Sequence, residues 1–575
     1  PDAVLRGPQN YEGELKQTPA VRLERPPIAL PQVADSAVCQ VFAADSMTNV
    51  TAATAVTSAG DEEAVEIHAC RGELETVQLV VRATENRLAG LAPEFSALLH
   101  TQSDAVLDCA AWRWDQLAHI NATYPDICWD NVGADLQAGD RTIFWATITV
   151  PRQARPGIYE GTVTLTTADG SVAGRVPIRV TVYAVTIPHR KSVEFSLFKM
   201  WYFFPPGVPP YNTPAWRDYI RRELFEPMAR NRVMHAALTP RHWRKVGLDW
   251  LKRHPEYDAV QAQAWTEPAY VNLYTEYLRW WRERGFVDFS GPVYPYGATH
   301  EYQRTGSADA EKVIREFYEF WTPMIRKLGL KNRVMARGLD EKTDIAGLSR
   351  LGKLFREVAP DVLIFNNPMG INPSITEQLG DVTDIWSFNP NHLTPELSKA
   401  LEDAEAARGT RVHTYIHSHI AQLGPSYPLR IFFWILNDYG YDGTTLWAIN
   451  VWRGGLEKVG LGRSGQVSGS GNLFWPGDSE HGFLESVRLR NIGDGCEDYE
   501  LLQMLRARMA SVQTKNRQGE PQRAEVLAAL EAGAAALSYS GELYTDFLTY
   551  ERQPALLRRQ RLRVINALED LAQLE

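Results

Sequence analysis

The sequence is short of several things, and each shortage excludes something. Cysteine is scarce, with five in 575 residues. They stand at Cys39, Cys70, Cys109, Cys128 and Cys496, and no spacing among them matches a zinc motif. Buried free thiols are the expectation, and a Cys109–Cys128 disulfide is the alternative. No His and Asp set carries metal-ligand spacing either, so neither a metal nor a cofactor is expected. Positive charge is in deficit, with 60 Lys and Arg against 70 Asp and Glu and a formal net charge of −10. A nucleic-acid partner is therefore not expected. Long apolar runs are missing too, none approaching the roughly 20 residues that a membrane-spanning helix needs. The chain opens on "PDAVLRGPQN" without Met and without an apolar leader. That is the look of a processed or trimmed chain, and secretion or export to a periplasm is the expectation.

What remains is the composition of a globular protein, 44% hydrophobic and 23% charged, and too long for one core. Tryptophan is plentiful, with seventeen copies, most of them between Trp201 and Trp475. Such rings fill cores wherever they sit. Their clustering also suits an aromatic-lined cleft, because flat apolar rings match the C–H faces of sugars.

The pattern changes along the chain. Residues 1–35 are Pro-rich and aperiodic ("RLERPPIALPQ") and read as an extended arm. Residues 36–188 carry short alternating segments such as "ETVQLVVRA" and "RTIFWATITV", and a hairpin turning through "ADGS". These predict an N-terminal antiparallel β-sandwich. From 189 to 495 strand-like segments alternate with amphipathic helical ones that end on Gly or Asn. The strands are predicted at 193–201, 233–238, 292–297, 333–341, 362–367, 384–390, 412–418 and 444–452. Eight such units are the count of a (β/α)8 TIM-type barrel. Residues 496–575 are helical by period and composition.

In a barrel of this kind the site lies at the C-terminal ends of the strands. Those ends carry His300 and Glu301, Asp340 and Glu341, Trp386 and Asn389, Tyr415 and His417, then Trp447 and Trp452. Carboxylates, amides and Trp rings without a Lys or Arg cluster describe a neutral polar ligand, and a glycan fits best. Trp386, Trp447 and Trp452 are candidates for a stacking wall, His300 and His417 for hydroxyl contacts, and Tyr415 for a hydrogen-bond donor.

The adjacent acids of "GLDEKTD", Asp340 and Glu341, need explaining. A solvated turn with a helix cap is the bland account. Glycosidases normally hold an acid and a second carboxyl group at least about 5 Å apart, which neighbours do not suit. Adjacent acids suit a substrate whose own 2-acetamido oxygen is the nucleophile. One acid then protonates the leaving oxygen, while the other, ionised, steadies the acetamido group and raises its neighbour's pKa. Two other readings stay open. One is a glycosidase pairing Glu341 with a distant carboxylate such as Glu301, and the other is a carbohydrate-binding protein without catalysis. Downstream, Arg488 and Arg490 stand close enough to pair with Asp494, Glu497 and Asp498, acids expected to open a helix and close the barrel.

Three segments carry a resemblance to a known family. They are "VPRQARPGIYEGTVTLT", the "GLDEKTD" pair, and "GNLFWPGDSEHGFLESVRLRNIGDGCEDYELL" at 471–502. Together they resemble glycoside hydrolase family 123, whose members are β-N-acetylgalactosaminidases that work by substrate assistance. The resemblance implies Asp340 as the acetamido-orienting residue, Glu341 as the general acid/base, and a retaining exo-acting hydrolase for β-linked N-acetylgalactosamine.

Overall fold

The computed structural model describes residues 29–51, 54–57, 64–120, 124–197, 214–234, 267–286, 291–292, 294–338, 343–417, 427–447, 449, 473–477, 482–517, 524–547, 549–551 and 553–574. Strands begin earlier than the arm predicts, at Ala29–Leu30 and Gln32–Asp35. Two sheets follow. One has six antiparallel strands in the order Tyr124–Asp130, Trp112–Ile120, Arg141–Thr149, Leu74–Ala83, Cys39–Asp45, Gln32–Asp35. The other is built on the predicted hairpin, in which Gly157–Thr166 pairs antiparallel with Val172–Thr186. Its turn uses Gly170 at φ 83°, a left-handed position that glycine fills without strain. Their facing side chains, including Val81, Phe144, Ile148, Val163 and Val180, form the sandwich core.

The strand Arg141–Thr149 does not alternate, because both of its faces are covered. Phe144, Ala146 and Ile148 point into the sandwich core. Ile143 and Trp145 point outward into a second cluster that takes in Val487, more than 300 residues away in sequence. Four of the five cysteines are buried, and all five are free thiols.

Beyond the sandwich lies a curved parallel sheet, a half-barrel with helices on its outer face. Its strands are Glu194–Leu197, Gly291–Pro292, Val334–Arg337, Leu363–Asn366, Ile385–Phe388, Arg411–His417 and Gly443–Trp447. Each pairs in parallel with the next, from Gly291–Pro292 to Gly443–Trp447. The first strand, Glu194–Leu197, then joins the last, with Glu194 opposite Gly443. The segment expected between the first two, 233–238, lies outside the described residues from 235 onward. The connecting helices are capped by side chains. Ser307, Asp344, Asn372 and Thr394 accept from backbone N–H groups of their first turns, and Gly409 closes one helix at φ 67°.

A 31-residue helix, Val487–Arg517, joins the parts and runs through position 496 without a break. Asp494, Glu497 and Asp498 therefore lie past its first turn, where the helix dipole is weak. Its charges do not pair with each other as the sequence suggests. Arg488 donates to Asp126 of the sandwich at 2.9 Å, and Asp126 also accepts from the Trp475 indole at 2.8 Å. Arg490 donates to Asp115 of the sandwich at 3.0 Å and to Glu485 at 3.2 Å. Asp498 accepts from Arg430 at 2.7 Å and from Arg561 of the last helix, Pro554–Ala572, at 2.7 Å. Arg561 also donates to Glu73 and pairs with Glu75 at 3.2 Å.

Around Arg430 and Arg561 carboxyl groups outnumber guanidinium groups, with Glu73, Glu75, Asp494, Glu497 and Asp498 all buried. Burial lifts the Glu75 carboxyl to about 8, only partly offset by Arg561 and Arg430. It lifts Asp494 to about 6 against the pull of Arg430. Burial and Glu73 also hold Glu497 well above the ordinary range. These raised groups bind protons more tightly folded than unfolded, so stability falls as pH rises through that range. We expect the melting temperature to decline between pH 6 and 8.5, and Glu75→Gln to flatten the decline. A melting temperature constant or rising over that interval in the parent contradicts this. Arg488→Met strands Asp126 in the interior and is expected to cost about 3–5 kcal/mol in urea unfolding. The double variant Asp126→Leu with Arg488→Met should regain much of that.

Candidate active site at the strand C-termini

Contacts across the half-barrel show which face of each strand points inward. At the N-terminal end, Glu194 accepts from Arg411 at 2.9 Å and meets His413 Nε2 at 3.1 Å, two strands away. Burial pushes the Glu194 carboxyl up, but His413 and Arg411 outweigh it and leave its pKa below the usual range. On the same face Met335, Phe365 and Ile385 form an apolar cluster, with Ile385 directly opposite Arg411. Phe365 meets His413 edge-on at 6.5 Å, and Ser387 hydrogen-bonds Thr445 at 3.1 Å. Side chains alternate along a strand. The inner face therefore continues upward through Arg337, Asn367, Asn389 and Tyr415.

The predicted residues at this end lie in different surroundings. Tyr415, 4% exposed, shares the inward face of His413 on one strand. Asn389 follows Ser387 on the same face and is half-buried. Asn366 instead turns away, donating to Val382 O and Thr383 Oγ1. Trp386 is fully buried in the layer between sheet and helices, together with Phe388. It is a core residue and not part of a stacking wall, because its place in the strand directs it outward.

Glu301 also needs correcting. The predicted strand 292–297 stops at Pro292, and a helix, Tyr296–Thr305, starts almost at once. His300 is half-buried on that helix. The helix turns Thr299 and Gln303, both 0% exposed, toward its neighbours. At 100° per residue Glu301 lies on the opposite side. There its carboxylate pairs with Arg304 at 2.5 Å and accepts from Thr305 at 3.2 Å.

Asp340, Glu341 and Trp452 lie outside the described residues, as do the side chains of His417 and Trp447. The backbones of those last two stand opposite one another at the ends of adjacent strands. The segment with the acid pair is fixed on both sides. Before it comes Gly338, where an added Cβ would stand 2.6 Å from Gln303 Oε1 and from Leu348 Cδ2. After it comes Asp344, which caps the next helix by accepting from Gly347 N at 2.9 Å. The helix-cap role is thus taken by Asp344. Among the described residues no cluster of His, Cys, Asp and Glu could hold a metal ion, and no helix is long and apolar enough to cross a membrane.

Sequence reasoning passed over Gln303 and Arg337. The signal for Arg337 was present, a charged residue ending the otherwise apolar strand "VMAR". Gln303 gave no such signal, since a glutamine on an amphipathic helix is ordinarily solvated.

These features define a class of fold, a sandwich leading into a β/α half-barrel with a polar mouth and a sealing helical segment. Among solved structures it matches that of a family 123 glycoside hydrolase from Clostridium perfringens, described for glycolipid glycan hydrolysis. The TM-score is 0.62 at 13% identity, over 93% of this chain and 99% of that one. Bacteroides uniformis beta-glucuronidase 2 overlaps 60% of this chain and 38% of that one at 11% identity, with a TM-score of 0.20. The CooA pilin subunit of enterotoxigenic Escherichia coli overlaps 26% of this chain and 99% of that one at 11% identity, with a TM-score of 0.16. Neither overlap is close enough to argue from. No family model and no curated protein matches the sequence.

The corrected positions are testable by unfolding. Trp386→Ala is expected to cost about 3–5 kcal/mol, as for a large core side chain. Glu301→Gln should stay within about 0.5 kcal/mol of the parent. A loss below about 1 kcal/mol for Trp386→Ala would return that ring to the surface.

Proposed function

We propose that the chain is a retaining exo-glycosidase that removes terminal β-linked N-acetylgalactosamine by substrate-assisted catalysis, on a (β/α)8 barrel whose second strand is the segment 233–238. The fold likeness to a family 123 glycoside hydrolase supports this, as does the joining of the first parallel strand to the last. The observation that carries the mechanism is the position of the other acids. Glu301 is engaged on an exposed helix surface, paired with Arg304. Glu194, the inward-facing carboxylate of the described parallel strands, is locked to Arg411 and His413 at the far end. A scheme with two separated carboxyl groups thus loses the partner the sequence had offered for Glu341. Adjacent acids with a nucleophile supplied by the substrate need no such partner.

In this reading Glu341 gives its proton to the leaving oxygen as the glycosidic bond breaks. The acetamido oxygen closes on C1, and ionised Asp340 holds the acetamido N–H and balances the charge of the oxazolinium. Glu341, now a base, takes a proton from water, which opens the ring at C1 and regenerates the acid. Tyr415, Asn367 and Asn389 supply hydrogen-bonding groups for a neutral sugar, and Trp447 and Trp452 are the remaining stacking candidates.

A panel of nitrophenyl β-glycosides tests the reading. The N-acetylgalactosaminide should be cleaved, the plain β-galactoside should not, and a thiazoline mimic of the oxazoline should inhibit. Glu341→Gln and Asp340→Asn should each lower kcat by about 10²–10⁴-fold. Equal turnover of the plain galactoside would sink substrate assistance. An unchanged rate in Glu341→Gln would remove that residue from its role.

A further inference from the structure

Three helices of the half-barrel, Tyr296–Thr305, Ala308–Lys327 and Ile345–Val358, line an open groove of about 580 Å³. That is the size of a small-ligand site, and the function proposed above makes no use of it. Part of its lining is apolar, from Tyr302 and Leu354, which are 9% and 4% exposed. The rest is polar, with the Ser349 hydroxyl and the side chains of Glu311, Arg315, Arg350, Lys353 and Glu357.

Both carboxylates of the groove are already engaged by one cation. Arg315 donates through Nε to Glu311 at 2.9 Å, and through its two terminal nitrogens to the two oxygens of Glu357 at 2.7 and 3.1 Å. The other two cations have no such partner. Arg350, half-buried, donates to the backbone carbonyl of Gln303, which is neutral. Lys353 is exposed, and among the described residues neither it nor Arg350 pairs with a carboxylate. They stand three residues apart on one helix, so their side chains leave the same face. In a chain of formal net charge −10 this is a local excess of positive charge. A ligand that matches it brings its own anion.

We propose that this groove is a second glycan site, which binds a sugar unit bearing a carboxylate or a sulfate. Arg350 and Lys353 hold the anion, Ser349 takes a hydroxyl, and the apolar surface of Tyr302 and Leu354 meets the C–H groups of the ring. A bare inorganic anion needs only the two charges. A groove of this volume, apolar in part and hydrogen-bonding in part, suits a larger ligand that is itself both. The choice of a sugar over another small acid rests on the glycosidase reading above, whereas the need for an anion follows from the charges alone.

The test is an NMR titration of the whole chain with galactose 6-sulfate and with glucuronic acid, using galactose and inorganic sulfate as control ligands and melting temperature as the folding control. Both acidic sugars should bind more tightly than galactose, and less tightly as salt is added. Lys353→Glu should weaken them by about tenfold or more, with Lys353→Ala showing a smaller loss in the same direction. Lys353 is the residue to vary because its side chain is exposed and unpaired, whereas Arg350→Met also removes a bond to the Gln303 backbone. Hydrolysis of a nitrophenyl N-acetyl-β-galactosaminide should not change in either Lys353 variant. Acidic sugars that bind no better than galactose overturn the proposal, and so does undiminished binding in folded Lys353→Glu. Inorganic sulfate binding as tightly as galactose 6-sulfate would make the groove a simple anion site and overturn it as well. A parent that binds the acidic sugars with the expected loss in Lys353→Glu, yet hydrolyses no glycoside, overturns the functional reading and leaves this site in place.

Discussion

Arg488 and Arg490 leave the same helix two residues apart, and each ends on a carboxylate of the sandwich in the interior of the protein. A buried charge without its partner costs several kcal/mol. Neither the sandwich nor the helix can therefore be completed alone, since Asp115 and Asp126 would stand in an unfinished interior without them. The same helix holds Arg430 through Asp498, and the last helix through Arg561. Three regions that read as separate modules in the sequence are in this way bound into one interior. Such a network contributes little net stability compared with an apolar core of the same volume. It does fix one geometry, because any slip separates opposite charges.

That fixed geometry reaches the mouth of the half-barrel. Arg430 stands on the helix Tyr427–Asp438, which leads directly into the parallel strand Gly443–Trp447. That strand pairs with Arg411–His417, the bearer of Tyr415, and with the first parallel strand. From there the ladder passes strand by strand to Val334–Arg337 and the acid pair that follows it. Positions at the mouth are set by this ladder and by close contacts such as Gly338 against Gln303.

Much of the architecture was legible in the sequence, because period and turn chemistry are local. The hairpin turning through "ADGS", the helix caps and the positions of most parallel strands follow from them. What failed depended on which face of an element another part of the chain covers. "IWSF" is buried on both sides, so its pattern does not say that Trp386 points to the helices. "PVYPYG" looks strand-like, but the chain becomes helical from Tyr296 and puts Glu301 on a helix. Asp115 and Asp126 look like solvated positions of sandwich strands, and only the distant closing helix makes them buried partners.

The central claim is that the substrate supplies the nucleophile, with the adjacent acids serving it. The most direct measurement is the anomeric configuration of the first product, followed by proton NMR as a β-N-acetylgalactosaminide is cleaved. Two displacements at C1, by the acetamido oxygen and then by water, predict the β-anomer first, with the α-anomer growing in only by mutarotation. An α-anomer appearing first would mean a single displacement by water and would contradict the account.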